Sequence, residues 1–296
     1  MPSLRFYNVI SIFMYAVALA LLYASFLPIM NILFYFASVS LNLVPHLVKY
    51  EVKGVELKGV RLFPSKHYMG LYSLKTGKIL ISSKAVDMPD VFLFIKYHEA
   101  GHSRQPHDLL YYVSRNLSPF ALALYVWTIP PSEVKYNVLF RLLASLQLAL
   151  FALQFTGPAY LGIVAAAALL LSPAIEHIGD VFLSLAFLCF WATATFYNSM
   201  SSTFAVLCTS VFAPTVLFYM GYTVPSLAYE IDADNYAAKM MGERVLTAYK
   251  LFIGVEPDKG VALLYLPFLL FYTHPPEDFE YFRLKRFVKG MKERKG

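Results

Sequence analysis

The sequence predicts a mainly helical membrane protein, a multi-span helical bundle joined to a small α+β domain. Three observations carry this. Of 296 residues, 58% are hydrophobic and only 15% are charged, against about 25% charged in soluble domains. Apolar runs recur along the chain, several close to the roughly 20 residues that a membrane-crossing helix needs. Between them lie polar stretches patterned like short strands and helices.

Taken in chain order, the run from Phe6 to Val48 is almost uncharged and is interrupted by Pro28 and Pro45. It suits a hairpin of two spans turning near Pro28, residues 1–48, and is too long for the apolar core of a cleaved signal peptide. The segment 49–108 follows. In it "KGVEL" and "KGVRL" repeat back to back over 53–62 and alternate apolar with polar residues, like a short strand pair. "LYSLKTGKILISS", 71–83, reads as a β-hairpin with Gly77 in its turn. Asp87 or Asp90 is placed to cap a helix through "VFLFIKYHEAGHS". Residues 109–228 then hold five apolar candidates, near 109–129, 137–156, 158–175, 181–198 and 202–225, with "EHIGD" (176–180) as a connecting loop. The last candidate passes directly into "YEIDADNYAAKMMGERV", a polar helical stretch that opens the final segment, 229–296. The run "VALLYLPFLLFY" (261–272) is too short to span and reads as a buried or interfacial helix.

Charge and cysteine usage exclude several classes. The net charge of +6 is concentrated: residues 49–115 carry eleven Lys/Arg against six Asp/Glu, and the tail "RLKRFVKGMKERKG" is strongly basic. Basic flanks beside apolar spans mark the cytoplasmic face. No aromatic-basic recognition module accompanies the charge, so no nucleic-acid partner is expected. No GxxxxGK[ST] loop is present, so no nucleotide is expected either. Both cysteines, Cys189 and Cys208, lie inside apolar runs, which supports neither a disulfide framework nor a cysteine metal site.

The chemistry lies in "HEAGH", residues 98–102. Residues four apart share one helix face, so the imidazoles of His98 and His102 can converge on one metal ion. Glu99 is turned about a quarter of the circumference away, where it can act as a general base without ligating. A third ligand is needed, and Glu230 can supply it. Asp234 shares a helix face with Glu230 and can accept a hydrogen bond from a ligand histidine.

Three motifs occur in order: "HEAGH", then Glu230, Ala233, Asp234 and Ala237 as E-x-x-A-D-x-x-A, then "THPP" at 273–276. Together they resemble the HtpX-like and CAAX-prenyl-protease family of integral-membrane zinc peptidases. The resemblance implies a gluzincin-type catalytic domain at the cytoplasmic face of a multi-pass plasma-membrane protein. It implies one Zn²⁺ per chain held by His98, His102 and Glu230, with Glu99 as general base and Asp234 orienting a ligand. His274 would bind the substrate carbonyl or the tetrahedral oxyanion. The hairpin looks like the family's edge strand, which implies a polypeptide substrate pairing along Gly70, Leu71, Tyr72, Ser73 and Leu74. Members commonly carry an Arg at the position of Glu280; here Arg283 lies almost a turn further on.

The activity implied is ATP-independent hydrolysis of membrane-associated or misfolded polypeptides by a zinc metalloendopeptidase. Ligands that meet at one metal must lie on one side of the bilayer, so one of the five candidates does not cross. The weakest are 109–129, with Arg115 and Pro119, and 158–175, which ends near Pro173. Two alternatives stand beside this reading. A site-2-type intramembrane protease also uses HExxH but takes a third ligand from an apolar "LDG"-like segment, which is absent here. A non-enzymatic scaffold or transporter with a vestigial metal site is disfavoured by the intact Glu99.

Overall fold

The computed structural model describes residues 3–23, 28–44, 55–57, 59–64, 69–74, 76–122, 142–144, 146–147, 150 and 213–294. The candidates 158–175 and 181–198, most of 137–156, the first part of 202–225, the "EHIGD" loop and both cysteines lie outside these residues. In chain order the elements are helices α1 (Leu4–Tyr23) and α2 (Pro28–Ser40), then strands β1 (Val55–Leu57), β2 (Val60–Phe63), β3 (Gly70–Ser73) and β4 (Lys78–Ser82). Helices α3 (Pro89–Ser103), α4 (Leu109–Asn116), α5 (Ala213–Met241), α6 (Arg244–Ile253), α7 (Lys259–Leu264) and α8 (Glu277–Glu293) follow. The described fold is mainly helical with one small mixed sheet. It divides into two compact units, Met1–Glu51 with His107–Tyr222, and Val52–Pro106 with Thr223–Gly296.

The second unit holds the sheet, in the order β1-β2-β4-β3. The KGVEL/KGVRL repeat forms the β1–β2 hairpin, and Gly59 turns it with φ +80°. Gly77 turns the β3–β4 hairpin with φ +65°. A left-handed φ of this kind strains any residue with a Cβ, which is why both turns carry glycine. The two hairpins join through a parallel β2–β4 pairing, and β3 is left at the edge. Leu74, expected to extend the edge strand, lies in the turn instead, because the chain already reverses at Ser73, whose carbonyl accepts from Gly77 N–H.

Helix α3 packs on this sheet. Val91, Phe94 and Ile95 share a core with Val60, Ile81, Ala237, Val245, Leu284 and Val288. Neither expected aspartate caps α3. The cap position is Met88, without a side-chain bond, and Pro89 opens the helix; a proline there has no N–H to satisfy and a φ already set for helix. Asp87 ends the preceding 3₁₀ turn, and Asp90 pairs with Arg244. The 261–272 run folds as α7 and a 3₁₀ segment, Leu266–Phe271. Ala262 is buried but Leu263, Leu264, Leu266 and Leu270 are exposed, so of the two expected placements the buried one does not hold.

The first unit is apolar. Over Leu4–Leu21, α1 is the one helix among the described residues long and apolar enough to cross a membrane. Its Phe6, Val9 and Phe13 face outward. Inside, Phe218 stacks between Tyr15 and Tyr35, with ring centroids 6.1 Å and 5.0 Å away. Helix α4 has eight residues, about 12 Å, and the chain turns through Leu117–Phe120. The described part of the expected span 109–129 is therefore broken.

Backbone groups freed by that turn find side chains. Tyr15 and Tyr35 hydroxyls donate to the carbonyls of Ser114 and Leu117 at 2.9 Å and 2.7 Å. Asn42 donates to the carbonyls of Asn116 and Ser118, at 2.7 Å and 2.8 Å. Its oxygen accepts from Leu122 N–H at 3.1 Å and from the Gln147 amide at 2.6 Å. Asn42→Leu strips these partners from a buried turn, and each orphaned group costs about 1–3 kcal/mol. Thermal unfolding in detergent should show a clear drop in Tm, consistent with a loss of about 3 kcal/mol or more.

Candidate metal centre

Three segments of the second unit bring the site together: α3, the part of α5 from Thr223 onward and the edge strand β3. Helices α3 and α5 touch backbone to backbone at Gly101 and Ala233. A Cβ placed on Gly101 would stand 2.7 Å from Ala233 Cα and 3.0 Å from its carbonyl oxygen. Only two very small residues allow such an approach. It aligns the His98/His102 face of α3 with the Glu230/Asp234 face of α5.

The result is a convergence of donors. His98 Nε2 and His102 Nε2 are 3.1 Å apart. The Glu230 carboxylate lies 3.3 Å from the first and 3.5 Å from the second. One ligand atom from each of the three residues lies within 4.8 Å of the others, so the group could hold a metal ion.

The partners of the outer ring nitrogens strengthen this. His98 Nδ1 is 2.7 Å from Asp234 Oδ1, and His102 Nδ1 is 2.9 Å from Gln105 Oε1. The orientation of the Gln105 amide is set by its nitrogen, which donates to the Tyr229 carbonyl at 2.6 Å and to Asp232 at 3.3 Å. Both Nδ1 atoms therefore face pure acceptors and carry the ring hydrogen. In the neutral rings both Nε2 atoms then present lone pairs to one another and to a carboxylate, a cluster that a shared cation, a proton or a metal ion, would satisfy. Two imidazoles and one carboxylate are a zinc donor set.

Electrostatics agree. Burial pulls the His98 imidazolium down, but Asp234 and Glu230 beside it hold it well above its ordinary value. Burial likewise opposes His102, which Glu230 raises. Burial pushes Glu230 up, yet His274, His102 and His98 hold it well below the usual carboxylate range. The pocket thus favours positive charge, as protons or as a metal ion.

Glu99 is buried, 6% exposed. Burial raises its carboxyl above the ordinary value against the pull of His98 and His102, and the Tyr72 N–H donates to it. The register explains that bond. Ser82 N–H donates to the Met69 carbonyl, so by alternation Leu71 and Ser73 face β4 while the backbone groups of Gly70 and Tyr72 point away from it. Gly70 lies directly on Glu99: a Cβ there would fall 2.5 Å from Glu99 Oε1 and 2.5 Å from Ile95 Cγ2. His274 is more open, its side chain 61% exposed, with Nε2 3.5 Å from Glu230.

Several residues of the site escaped sequence reasoning. Gln105 is one; its only sequence mark is a polar side chain three residues past His102. Behind Asp234 stand Glu280, Arg283 and Asn235. Arg283 grips Glu280 with two nitrogens, Nε at 2.6 Å from Oε2, and donates to Asn235 at 2.6 Å. Burial and then Asp234 push the Glu280 carboxyl well above its usual range, and the two carboxyls are hydrogen-bonded. The i, i+3 spacing of Glu280 and Arg283 on a helix was the available signal.

Gly101→Val forces α3 and α5 apart at the point where they set the ligand spacing. Overpacking of this kind costs about 1–3 kcal/mol, so the variant should show a lower Tm and, in a titration with divalent metal ions, weaker binding than the native chain. No family model, curated protein or solved structure matches the chain, so the geometry of these side chains carries the functional reading.

Proposed function

We propose that this protein is a membrane-embedded zinc metalloendopeptidase that hydrolyses peptide bonds of membrane-associated or misfolded polypeptides without ATP. One observation carries the reading. A buried carboxyl, Glu99, stands beside three converging metal donors and against a strand edge that no described strand covers. A structural zinc site is closed by four protein ligands, whereas three leave a position for water. Among the described residues the group is His98, His102 and Glu230 alone.

When bound, zinc polarises the scissile carbonyl and makes a nearby water acidic enough to attack near neutral pH. Glu99 takes the proton from the attacking water and returns it to the leaving amine. Its raised proton affinity suits a group that must hold a proton between those two transfers. Asp234 and Gln105 keep the two imidazoles in one tautomer and one orientation. The substrate lies along β3 as an added strand, held by the outward backbone groups of Gly70 and by the Tyr72 carbonyl, while the Tyr72 N–H stays on Glu99. His274 stands at the open side of the donor group, on a backbone fixed by Pro275 and Pro276. From there its imidazole donates to the oxygen that gains charge during attack.

Membrane embedding as a multi-pass protein rests on the apolar runs of the sequence and on α1. The basic residues around the polar segments favour a cytoplasmic site. The second unit then reaches substrates that emerge from, or lie on, the same bilayer.

Two substitutions test the roles. Glu99→Gln should abolish cleavage of a denatured reporter protein while one zinc per chain is retained, since no ligand changes; turnover at the native rate refutes the base. His274→Ala should leave zinc content unchanged and lower kcat by about 100- to 1000-fold. Loss of zinc instead would make His274 a ligand.

A further inference from the structure

We propose that Gln105 is the positioning residue for two metal ligands at once, His102 and Glu230, a role that rests on the reading of the His98/His102/Glu230 group as a metal site. Gln105 is 6% exposed and sits just past the end of α3. Its oxygen accepts from His102 Nδ1 at 2.9 Å. Its nitrogen donates to the carbonyl of Tyr229, the residue before Glu230, at 2.6 Å. One planar amide therefore spans the two helices that supply the ligands. It fixes the ring of the second histidine and ties it to the backbone that carries the carboxylate.

The geometry makes the two histidines unequal. His98 is held by a carboxylate, Asp234, and His102 by a neutral amide. A hydrogen bond to the outer nitrogen fixes the tautomer and raises the basicity of the ligating one, more strongly when the acceptor is charged. A neutral acceptor at His102 leaves it the weaker donor of the pair. The amide also does what a carboxylate at 105 could not: its N–H groups satisfy a buried carbonyl and the neighbouring Asp232, 3.3 Å away.

Gln105→Met and Gln105→Glu separate these functions. Methionine keeps the length and loses all three hydrogen bonds; glutamate keeps an acceptor for His102 Nδ1 and loses the donor to Tyr229 and Asp232. Zinc affinity is measured by chelator competition on the purified full chain in detergent, together with the Tm of each metal-free protein. Gln105→Met is expected to bind zinc about 10- to 100-fold more weakly than the native chain. Gln105→Glu is expected to bind at least tenfold more tightly than Gln105→Met, because an acceptor for His102 is restored. A purely structural role would move the metal-free Tm of both variants alike and leave their affinities equal. Equal affinity of the two variants, or a Gln105→Met affinity within twofold of native, overturns the assignment. If Gln105→Glu does not fold, the Gln105→Met comparison with the native chain decides. A native chain that binds no zinc overturns the metal site itself, and this proposal with it.

Discussion

The site depends on how closely two helices can approach. Imidazole and carboxylate side chains are short, and three of them reach one point only if their backbones are nearly in contact. Gly101 and Ala233 make that possible. Every other part of the site is set relative to this crossing: which face of α5 meets the histidines, where Asp234 finds the outer nitrogen of His98, and how the amide of Gln105 bridges to the Tyr229 carbonyl. A larger residue at either position would leave each helix intact and the donor group dispersed. Gly70 plays the same part on the other side, where the missing Cβ lets the edge strand lie on Glu99.

Close approach concentrates charge, and the fold must offset it. His98, Asp234, Glu280 and Arg283 form an unbroken polar chain from the donor group into the packing of α8. Burial works against an ionised Asp234, but His98 first, then the Glu280 hydrogen bond and the Arg283 guanidinium, hold its carboxyl below the ordinary value. Helix α8 thus contributes more than its apolar face, Tyr281, Leu284 and Val288, to the core. It carries the counter-charge that keeps Asp234, the partner of His98, in place.

Much of this was legible where the determining geometry is local. The spacing of His98, Glu99 and His102, and of Glu230 and Asp234, follows from helical periodicity, and the glycine turns of both hairpins from backbone sterics. What depends on non-local contact was not. Nothing in the strand patterns announces the parallel β2–β4 pairing, because side-chain alternation is the same for either direction. The opening of α3 at Pro89 won over the nearby aspartates because a residue without an N–H needs no cap. Arg283 seemed out of place when compared by position alone, yet its long side chain reaches back a turn to Glu280 and across to Asn235. Gln105 carries no motif at all; it matters because of two acceptor and donor partners on different helices.

The donor group is assembled from distant parts of the chain. His98 and its partner Asp234 are 136 residues apart, and the apolar stretch of the sequence lies between them. During synthesis the first half-site emerges long before the second. Any activity that needs the ion is therefore silent until the intervening segments have been made and placed, and a truncated or stalled chain carries a HEAGH helix with nothing to complete it. The interruption of the second unit's sequence by the apolar stretch works as a timer: the three donors cannot meet until that whole stretch has been made.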